Sequence, residues 1–211
     1  MTPAVHSELP GWELVWLHLA GLPAGLPGAG DPLAALRREV SELARASLEG
    51  MDLSAHATAA AVRKLFRAAG CDPTRYRPSS EALLRRVLKG EDLPAIHPLV
   101  DLNNCLSVEL AVPCCVAAEG TFTMPATLRA GRPGETFESL RGPFNLEGKP
   151  LLADAAGPFS TPITDSRRVK VGESTTRVWM IVYLPEGAVA PAAVHEKLAE
   201  LLAEAPVARL F

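Results

Sequence analysis

The chain has 211 residues, of which 48% are hydrophobic and 21% charged, and its formal net charge is −3. Intrinsic disorder is excluded, because disordered chains combine few apolar residues with a high net charge. The length suits one domain that buries most of its apolar surface.

Residues 1–30 form an apolar segment that is rich in proline and glycine. Glu13 and His18 interrupt its apolar run and no basic stretch precedes it, which is typical neither of a signal peptide nor of a membrane span. The Gly/Pro-rich residues 21–32 predict a turn or loop. We therefore expect residues 1–30 to pack on, or lead into, a single compact domain over residues 31–211, with no membrane partner.

Apolar residues at helical spacing predict four helices, over residues 33–49, 56–70, 79–90 and 98–110. Ser79 and Ser80 are candidate N-caps of the third helix, and Gly90 would end it. Pro113 lies just past the fourth helix. His97, which precedes that helix, is interpreted as a packed or capping group rather than a general base.

The pattern changes after residue 113. Short β-branched or aromatic runs, separated by glycine and proline, predict strands within residues 121–130, 134–140, 148–155 and 174–184. Residues 178–184 are nearly all apolar, so we expect a central strand that is covered on both faces. A last helix is predicted over residues 191–205. Helices first, strands second and a final helix predict an α+β fold with a mixed, largely antiparallel sheet and flanking helices.

The four cysteines show no metal-binding pattern. Cys71, Cys105, Cys114 and Cys115 have neither CxxC spacing nor a histidine at zinc-ligand distance. We expect reduced thiols in a cytoplasmic protein, and we expect no metal and no cofactor. The adjacent Cys114 and Cys115 are interpreted as small hydrophobic residues.

Positive charge is concentrated in one part of this acidic chain. Residues 61–90 contain eight cations and two anions, a net charge of +6, so the rest of the chain carries −9. This segment is either a solvated helix face or a surface for a polyanion. Arginine suits bidentate contact with phosphate, and Tyr76 between two arginines could stack on a base. The candidate RNA-binding residues are Arg75, Arg77, Arg85, Arg86 and Lys89.

Residues 70–113 contain a dense set of motifs: RPSSEALLRR at residues 77–86, PLVD at residues 98–101, and Asn104. They resemble the tRNA-binding and editing module, the B3/B4 domain, of the β subunit of phenylalanyl-tRNA synthetase, and in particular its free-standing bacterial relatives. A weaker similarity, DSRRVKV at residues 165–171 followed by Ser174 and Thr175, extends the resemblance over roughly residues 30–185.

The resemblance implies helices around a mixed β-sheet and a tRNA or aminoacyl-tRNA partner, with a small aromatic amino acid as a further candidate ligand and no DNA. It also implies hydrolysis of tyrosine wrongly esterified to the phenylalanine tRNA. Such an ester is activated, so a positioned water, an oxyanion environment and the terminal hydroxyl of the tRNA can suffice without a nucleophilic side chain. No ATP-binding motif is found in the sequence, so we do not expect a complete aminoacyl-tRNA ligase.

Five residues outside the basic segment are candidates for substrate chemistry. Asn104 and Thr175 are the catalytic candidates; Asn104 could orient a substrate amine or a water, or could make a structural hydrogen bond, and Thr175 could simply begin a strand. Asp165, Arg168 and Lys170 are the substrate-binding candidates. They alternate along a predicted strand, which would place Arg168 and Lys170 on one face. A structural salt bridge is the alternative role.

The sequence also departs from the family pattern in three places, one of which is that the usual Asp-Thr and following Asn are here Ser174-Thr175 and Arg177. CCVAA at residues 114–118 stands where the family usually carries a glycine and an aromatic-Asp pair, and this removes polar groups from a predicted pocket wall. FSTPI at residues 159–163 stands where relatives have a basic-aromatic stretch. Two hypotheses therefore remain: a trans-acting hydrolase of mischarged aminoacyl-tRNA, and a non-catalytic module that binds RNA or an aromatic amino acid on the same fold.

Overall fold

A computed structural model of the chain describes residues 3–21 and 30–211. The helices of this part of the chain are α1 (Ala34–Ser47), α2 (Ala57–Ala68), α3 (Ser79–Leu88), α4 (Pro98–Leu110) and α5 (Pro191–Glu204). Its strands are β1 (Val5–Ser7), β2 (Trp12–Gly21), β3 (Cys114–Ala118), β4 (Ala126–Ala130), β5 (Thr136–Ser139), β6 (Gly142–Asn145), β7 (Pro150–Asp154), β8 (Gly157–Ser160), β9 (Arg177–Pro185) and β10 (Ala208–Leu210). Leu53–Ala55 and Arg167–Val169 form short 3-10 helices.

The loop predicted for residues 21–32 falls largely on residues 22–29, which lie outside the described residues. None of the helices in the described ranges is long and apolar enough to cross a membrane.

A four-stranded antiparallel sheet, here called the central sheet, has the strand order β10-β2-β9-β3. Its strand β9 pairs with β2 from Trp12 opposite Pro185 to Ala20 opposite Arg177, and it pairs with β3 on its other side. Residues on both faces of β9 are buried. The prediction of a central strand covered on both faces is therefore confirmed.

A second sheet, here called the outer sheet, has the order β1-β4-β7-β8, and β5 and β6 form a separate hairpin. Strands β1 and β4 run parallel, whereas the other pairs of this sheet are antiparallel. The predicted α+β fold with a mixed, largely antiparallel sheet is confirmed.

The predicted order of elements is wrong at the N-terminus, because β1 and β2 precede the first helix. The apolar run of β2 is covered on both faces, since Trp16 packs in the layer between the sheets and Leu17 in the core beneath the helices. A strand buried in this way lacks the apolar-polar alternation that identifies a half-exposed strand. The division between residues 1–30 and 31–211 stays a prediction, although β2 lies in the same sheet as β9.

The central sheet separates two hydrophobic layers. On one face, Met180 and Val182 of β9 pack with Leu102 and Leu106 of α4 and with apolar residues of α1, α3 and α5. On the other face, side chains of the central sheet meet α2 and the outer sheet, with Phe66 and Phe159 among the residues between them. This second layer, between the two sheets, also contains the polar cluster described below.

The N-terminus of α3 differs from its prediction. The capping position is Pro78, and neither Ser79 nor Ser80 caps the helix with its side chain. Instead the Ser79 N–H donates a hydrogen bond of 2.9 Å to the Pro162 carbonyl, in the loop after β8. The start of α3 is thus attached to the C-terminal half of the domain. The capping role considered for His97 is confirmed, because its Nδ1 accepts a bond of 3.2 Å from the Leu99 N–H at the start of α4.

The PLVD motif fastens α1 to the start of α4. Asp101 is buried and accepts hydrogen bonds from Arg37 Nη1 at 2.8 Å and from the Ile96 N–H at 2.9 Å. Arg37 also pairs with Asp31, so its guanidinium is held between two carboxylates. Burial raises the pKa of Asp101 above its ordinary value, against the opposing effect of these partners. This part of the family motif has a structural role in the fold.

Candidate functional site

A buried carboxylate organises the basic segment around α3. Glu81 is only 2% exposed, and three arginines converge on it from different elements. Arg63 of α2 approaches Oε2 to 2.8 Å, Arg85 Nε donates to Oε1 at 2.9 Å, and Arg77 Nε lies 3.6 Å from Oε1. Two of the predicted RNA-binding arginines are therefore held in place by one internal anion.

The three arginines differ in exposure. The Arg63 side chain is 13% exposed, whereas those of Arg77 and Arg85 are each 43% exposed. Arg85 uses Nε toward Glu81, and its two terminal nitrogens make no hydrogen bond within residues 3–21 and 30–211. Because guanidinium presents five N–H groups in a planar fork, the outer edge can bind a phosphate while the inner edge is held.

Tyr76 has an internal role. The Nζ of Lys149 lies 3.7 Å from the centroid of the Tyr76 ring, and the Arg75 guanidinium lies 5.1 Å from it. Phe144 meets the same ring edge to face at 6.2 Å. Lys149 is 1% exposed and donates to Asn145 Oδ1 at 3.2 Å. The ring stabilises a buried ammonium group through its π face, so the contacts do not favour base stacking on Tyr76.

The C-terminal end of α3 is less positive than the sequence count suggests. Arg86 pairs with Glu91 at 2.9 Å and donates to the Asp92 carbonyl at 2.9 Å, and both acidic residues lie just beyond residue 90. Lys89 is exposed and has no ion-pair partner in the described part of the chain. Of the five predicted RNA contacts, Arg86 is thus the one that pairs with an acidic residue outside residues 61–90.

Asp165, Arg168 and Lys170 do not lie on one strand. Asp165 forms an isolated bridge with Ser160, and the Arg167–Val169 3-10 helix follows. Arg168 turns to Asp154, with both terminal nitrogens 3.0 Å from Oδ1. The prediction that Arg168 and Lys170 share a strand face is therefore wrong, and Arg168 makes the structural salt bridge considered as its alternative role.

A cluster of polar side chains lies between the two sheets, centred on the hydroxyl of Ser160. Ser160 Oγ is 2.7 Å from Asp165 Oδ1, 2.9 Å from Cys115 Sγ and 3.1 Å from Tyr183 Oη. A hydroxyl can donate only one proton, so when Ser160 donates to an ionised Asp165, the tyrosine and the thiol must act as donors to Ser160. The cluster links β8, β3 and β9 to the loop before the 3-10 helix.

Burial changes the acidity of this cluster. It raises the pKa of the Asp165 carboxyl to about 7, and the hydrogen bond from Ser160 opposes the shift only in part. Burial also raises the pKa of the Cys115 thiol and the Tyr183 phenol well above their ordinary values, so both stay protonated at neutral pH. Ser160 is fully buried, whereas Asp165 as a whole residue is only half-buried. Asp165 is thus the member of the cluster that could exchange a proton with a bound molecule near pH 7.

The structure does not bring the two catalytic candidates into this cluster. Asn104 lies on α4, which packs on the opposite face of the central sheet, and its Oδ1 is 3.5 Å from Asn103 Nδ2. Thr175 Oγ1 accepts a bond of 2.9 Å from the Gly172 N–H and closes a turn before β9. Neither arrangement indicates catalysis, and their proposed roles stay predictions.

Sequence reasoning missed Ser160, Cys115 and Tyr183 as a group. Tyr183 offered one signal, because it carries the single hydroxyl in the apolar residues 178–184 and a buried phenol needs a hydrogen-bond partner. The identity of that partner depends on how β8 meets β9 across the layer, which no local pattern encodes.

A known protein family covers most of this chain. A family model described as the B3/4 domain matches residues 61–201. The chain therefore belongs to the B3/4 domain family, and the family predicted from the sequence is confirmed.

A comparison with solved structures finds an N-terminal fragment of the phenylalanyl-tRNA synthetase β subunit from Pyrococcus horikoshii, with 14% sequence identity and a TM-score of 0.49. The similarity covers 99% of this chain and 50% of the fragment, so the chain spans about half of that length. A comparison with curated proteins gave no match.

Proposed function

We propose that the chain is a tRNA-binding module, and that its contact surface is formed by residues 75–89. The observation that carries this proposal is the attachment of Arg77 and Arg85 to buried Glu81, which orients both guanidinium groups while leaving 43% of each side chain exposed. Membership of the B3/4 family supports the choice of tRNA as the polyanion. The exposed cations of this segment are Arg75, Arg77, Arg85 and Lys89. We call these four residues the α3 surface.

The cleanest test removes the two cations of the α3 surface that do not contact Glu81. We expect the double variant Arg75→Ala with Lys89→Ala to weaken tRNA binding about tenfold. Each of the two lost contacts with phosphate is an exposed ion pair, which contributes about 0.5–1 kcal/mol. The matched control, Arg38→Ala with Arg209→Ala, removes the same charge from exposed residues of α1 and β10. Equal affinities for the two double variants in a filter-binding or fluorescence titration would contradict the proposal.

A second candidate function is hydrolysis of a mischarged aminoacyl-tRNA, and the observation that favours it is the half-buried Asp165 with a pKa of about 7. In this reaction a water attacks the ester carbonyl while Asp165 accepts a proton of the water, and Asp165 returns this proton to the ribose oxygen as the ester bond to the terminal ribose breaks. The products are the free amino acid and the deacylated tRNA. A carboxylate that ionises near neutral pH is suited to such general-base catalysis.

Deacylation of tRNA esterified with several aromatic amino acids tests this second candidate. We expect the rate to rise with pH through about 7 as Asp165 loses its proton, and to fall strongly in Asp165→Asn. If the wild-type protein binds tRNA but accelerates none of these deacylations, hydrolysis is contradicted. The function is then that of a non-catalytic binding module.

A further inference from the structure

An open depression lies between the β5–β6 hairpin and the Arg167–Val169 3-10 helix. Its volume is about 610 Å³, and it is lined by Leu140, Arg167 and Lys170. We call it the hairpin depression. Arg167 belongs to none of the sites inferred from the sequence, whereas Lys170 was predicted there to bind substrate together with Asp165 and Arg168.

The backbone explains why two cations line one wall. In a 3-10 helix, residues three apart lie on the same side. Arg167 and Lys170 have this spacing, and the Lys170 N–H donates to the Arg167 carbonyl at 3.3 Å. Between them, Arg168 turns away to Asp154 and Val169 is fully buried. Arg168 and Val169 therefore hold the 3-10 helix against the domain, whereas Arg167 and Lys170 both face outward.

The surrounding contacts hold this wall against the hairpin. The Ser166 N–H donates to the Phe159 carbonyl at 3.0 Å, and Ser166 forms an antiparallel bridge with Ser139 of β5. Ser139 Oγ in turn donates to the Gly142 carbonyl at 2.7 Å, across the hairpin turn that carries Leu140. The backbone that carries the lining residues is therefore held in place before any ligand arrives, which lowers the entropic cost of binding.

The chemistry of the depression defines its ligand. Arg167 and Lys170 are both exposed, and neither has an acidic partner within ion-pair distance among residues 3–21 and 30–211. Leu140 is 50% exposed and provides an apolar surface next to these charges. A phosphate beside a flat, weakly polar group satisfies both features, and this combination occurs in each nucleotide of an RNA chain.

We propose that the hairpin depression binds a backbone phosphate of the RNA, with the adjoining nucleoside lying on Leu140. This inference rests on the proposed tRNA binding and adds a second contact site to the α3 surface. The two sites are joined through the chain, because the bond between Ser79 and Pro162 fastens the start of α3 to the loop that leads to Arg167.

The affinity test uses Arg167→Ala with Lys170→Ala, and Arg38→Ala with Arg209→Ala as the charge-matched control. We expect the first double variant to bind tRNA several-fold more weakly than the control. We also expect the slope of log K against log salt to become shallower by about 1, for the one phosphate contact that is lost. The Arg167→Ala with Lys170→Ala variant could instead bind tRNA as well as the control while the Arg75→Ala with Lys89→Ala variant binds more weakly. That result would overturn the second contact site and leave the proposed tRNA binding intact. If the wild type binds no tRNA, both are overturned.

A photo-crosslinking measurement tests the location independently of affinity. The native cysteines Cys71, Cys105, Cys114 and Cys115 are all buried, so a thiol-directed photo-crosslinker labels an introduced exposed cysteine. Leu140→Cys should crosslink to tRNA, whereas Leu43→Cys, at a position that is 56% exposed on α1, should not. Equal crosslinking at both positions, or none at residue 140 while tRNA is bound, would overturn the inference.

Discussion

Glu81 determines the direction in which Arg77 and Arg85 point. Its carboxylate is buried, so removing the charge leaves Arg63 largely desolvated without its partner. Breaking one partner of such a buried pair typically destabilises a protein by about 3 kcal/mol. We therefore expect Glu81→Gln to lower the free energy of unfolding by about this amount, measured by urea denaturation.

The Glu81→Gln substitution also tests whether tRNA binding depends on the orientation of Arg77 and Arg85 or only on the net charge of the protein. Glu81→Gln makes the protein more positive by one charge, so a purely electrostatic attraction would strengthen tRNA binding. We expect weaker binding instead, because Arg77 and Arg85 lose the group that orients them. The matched control is Glu91→Gln, which adds the same charge at an exposed side chain paired with Arg86. Stronger binding by both variants would show that orientation by Glu81 is unimportant.

Asp165 makes the stability of the protein depend on pH in an unusual direction. Its folded-state pKa of about 7 lies above the ordinary value of 3.8. Between these values the unfolded chain releases the proton while the folded protein keeps it, so stability falls as pH rises from about 4 to 7, by at most about 1.4 kcal/mol per pH unit. Below pH 4 both states are protonated and above pH 7 both are ionised, so the contribution is fully present below pH 4, is lost above pH 7, and changes with pH only in between.

The test compares wild type with Asp165→Asn across that range. Asparagine cannot ionise, so we expect the stability of the wild type relative to the variant to decrease between pH 4 and pH 7. Thermal or urea unfolding at several pH values gives this difference, and other titrating groups cancel. A constant difference would mean that Asp165 titrates at its ordinary pKa.

At the scale of secondary-structure elements, a buried ion pair adds to the apolar contact between α1 and α4. Arg37 donates to Asp101 at 2.8 Å, and both side chains are less than 10% exposed. We expect Arg37→Ala to destabilise the protein by about 3 kcal/mol, because Asp101 would stay buried without its cation. Its neighbour Arg38 is exposed on the same helix, so Arg38→Ala should change stability by less than about 0.5 kcal/mol. Similar losses for both variants would contradict this role of the Arg37–Asp101 pair.

The elements also show what local sequence can and cannot specify. Helix α4 and strand β9 were predictable, because one has leucines at helical spacing and the other is a continuous apolar run between turn residues. Strand β2 was missed, since its burial on both faces removes the alternation that marks a half-exposed strand. The start of α3 was placed correctly, yet its predicted cap was wrong, because Pro78 occupies the capping position and Ser79 Oγ makes no hydrogen bond within the described residues.

At the scale of the whole molecule, the candidate sites depend on long-range contacts. The basic segment around α3 could be found from charge counting alone. The organisation of this segment by Glu81 could not be found in the same way, because the spacing of residues 63, 77 and 81 gives no sign that α2 and α3 meet. Likewise, the sequence placed Arg168 beside Lys170, whereas the 3-10 helix pairs Lys170 with Arg167.

The distribution of charge over the molecule leads to the central claim. A chain with a net charge of −3 repels RNA on average, so binding requires that the cations of the α3 surface contact phosphates directly. Each such contact releases counterions, which makes the affinity depend steeply on salt.

The most direct measurement is the affinity for tRNA as a function of salt concentration, for wild type and for Arg75→Ala with Lys89→Ala. We predict a linear fall of log K with log salt for the wild type, and a slope that is shallower by about 2 for the double variant. An affinity that does not depend on salt, or a slope that is the same in both proteins, would contradict tRNA binding through the α3 surface.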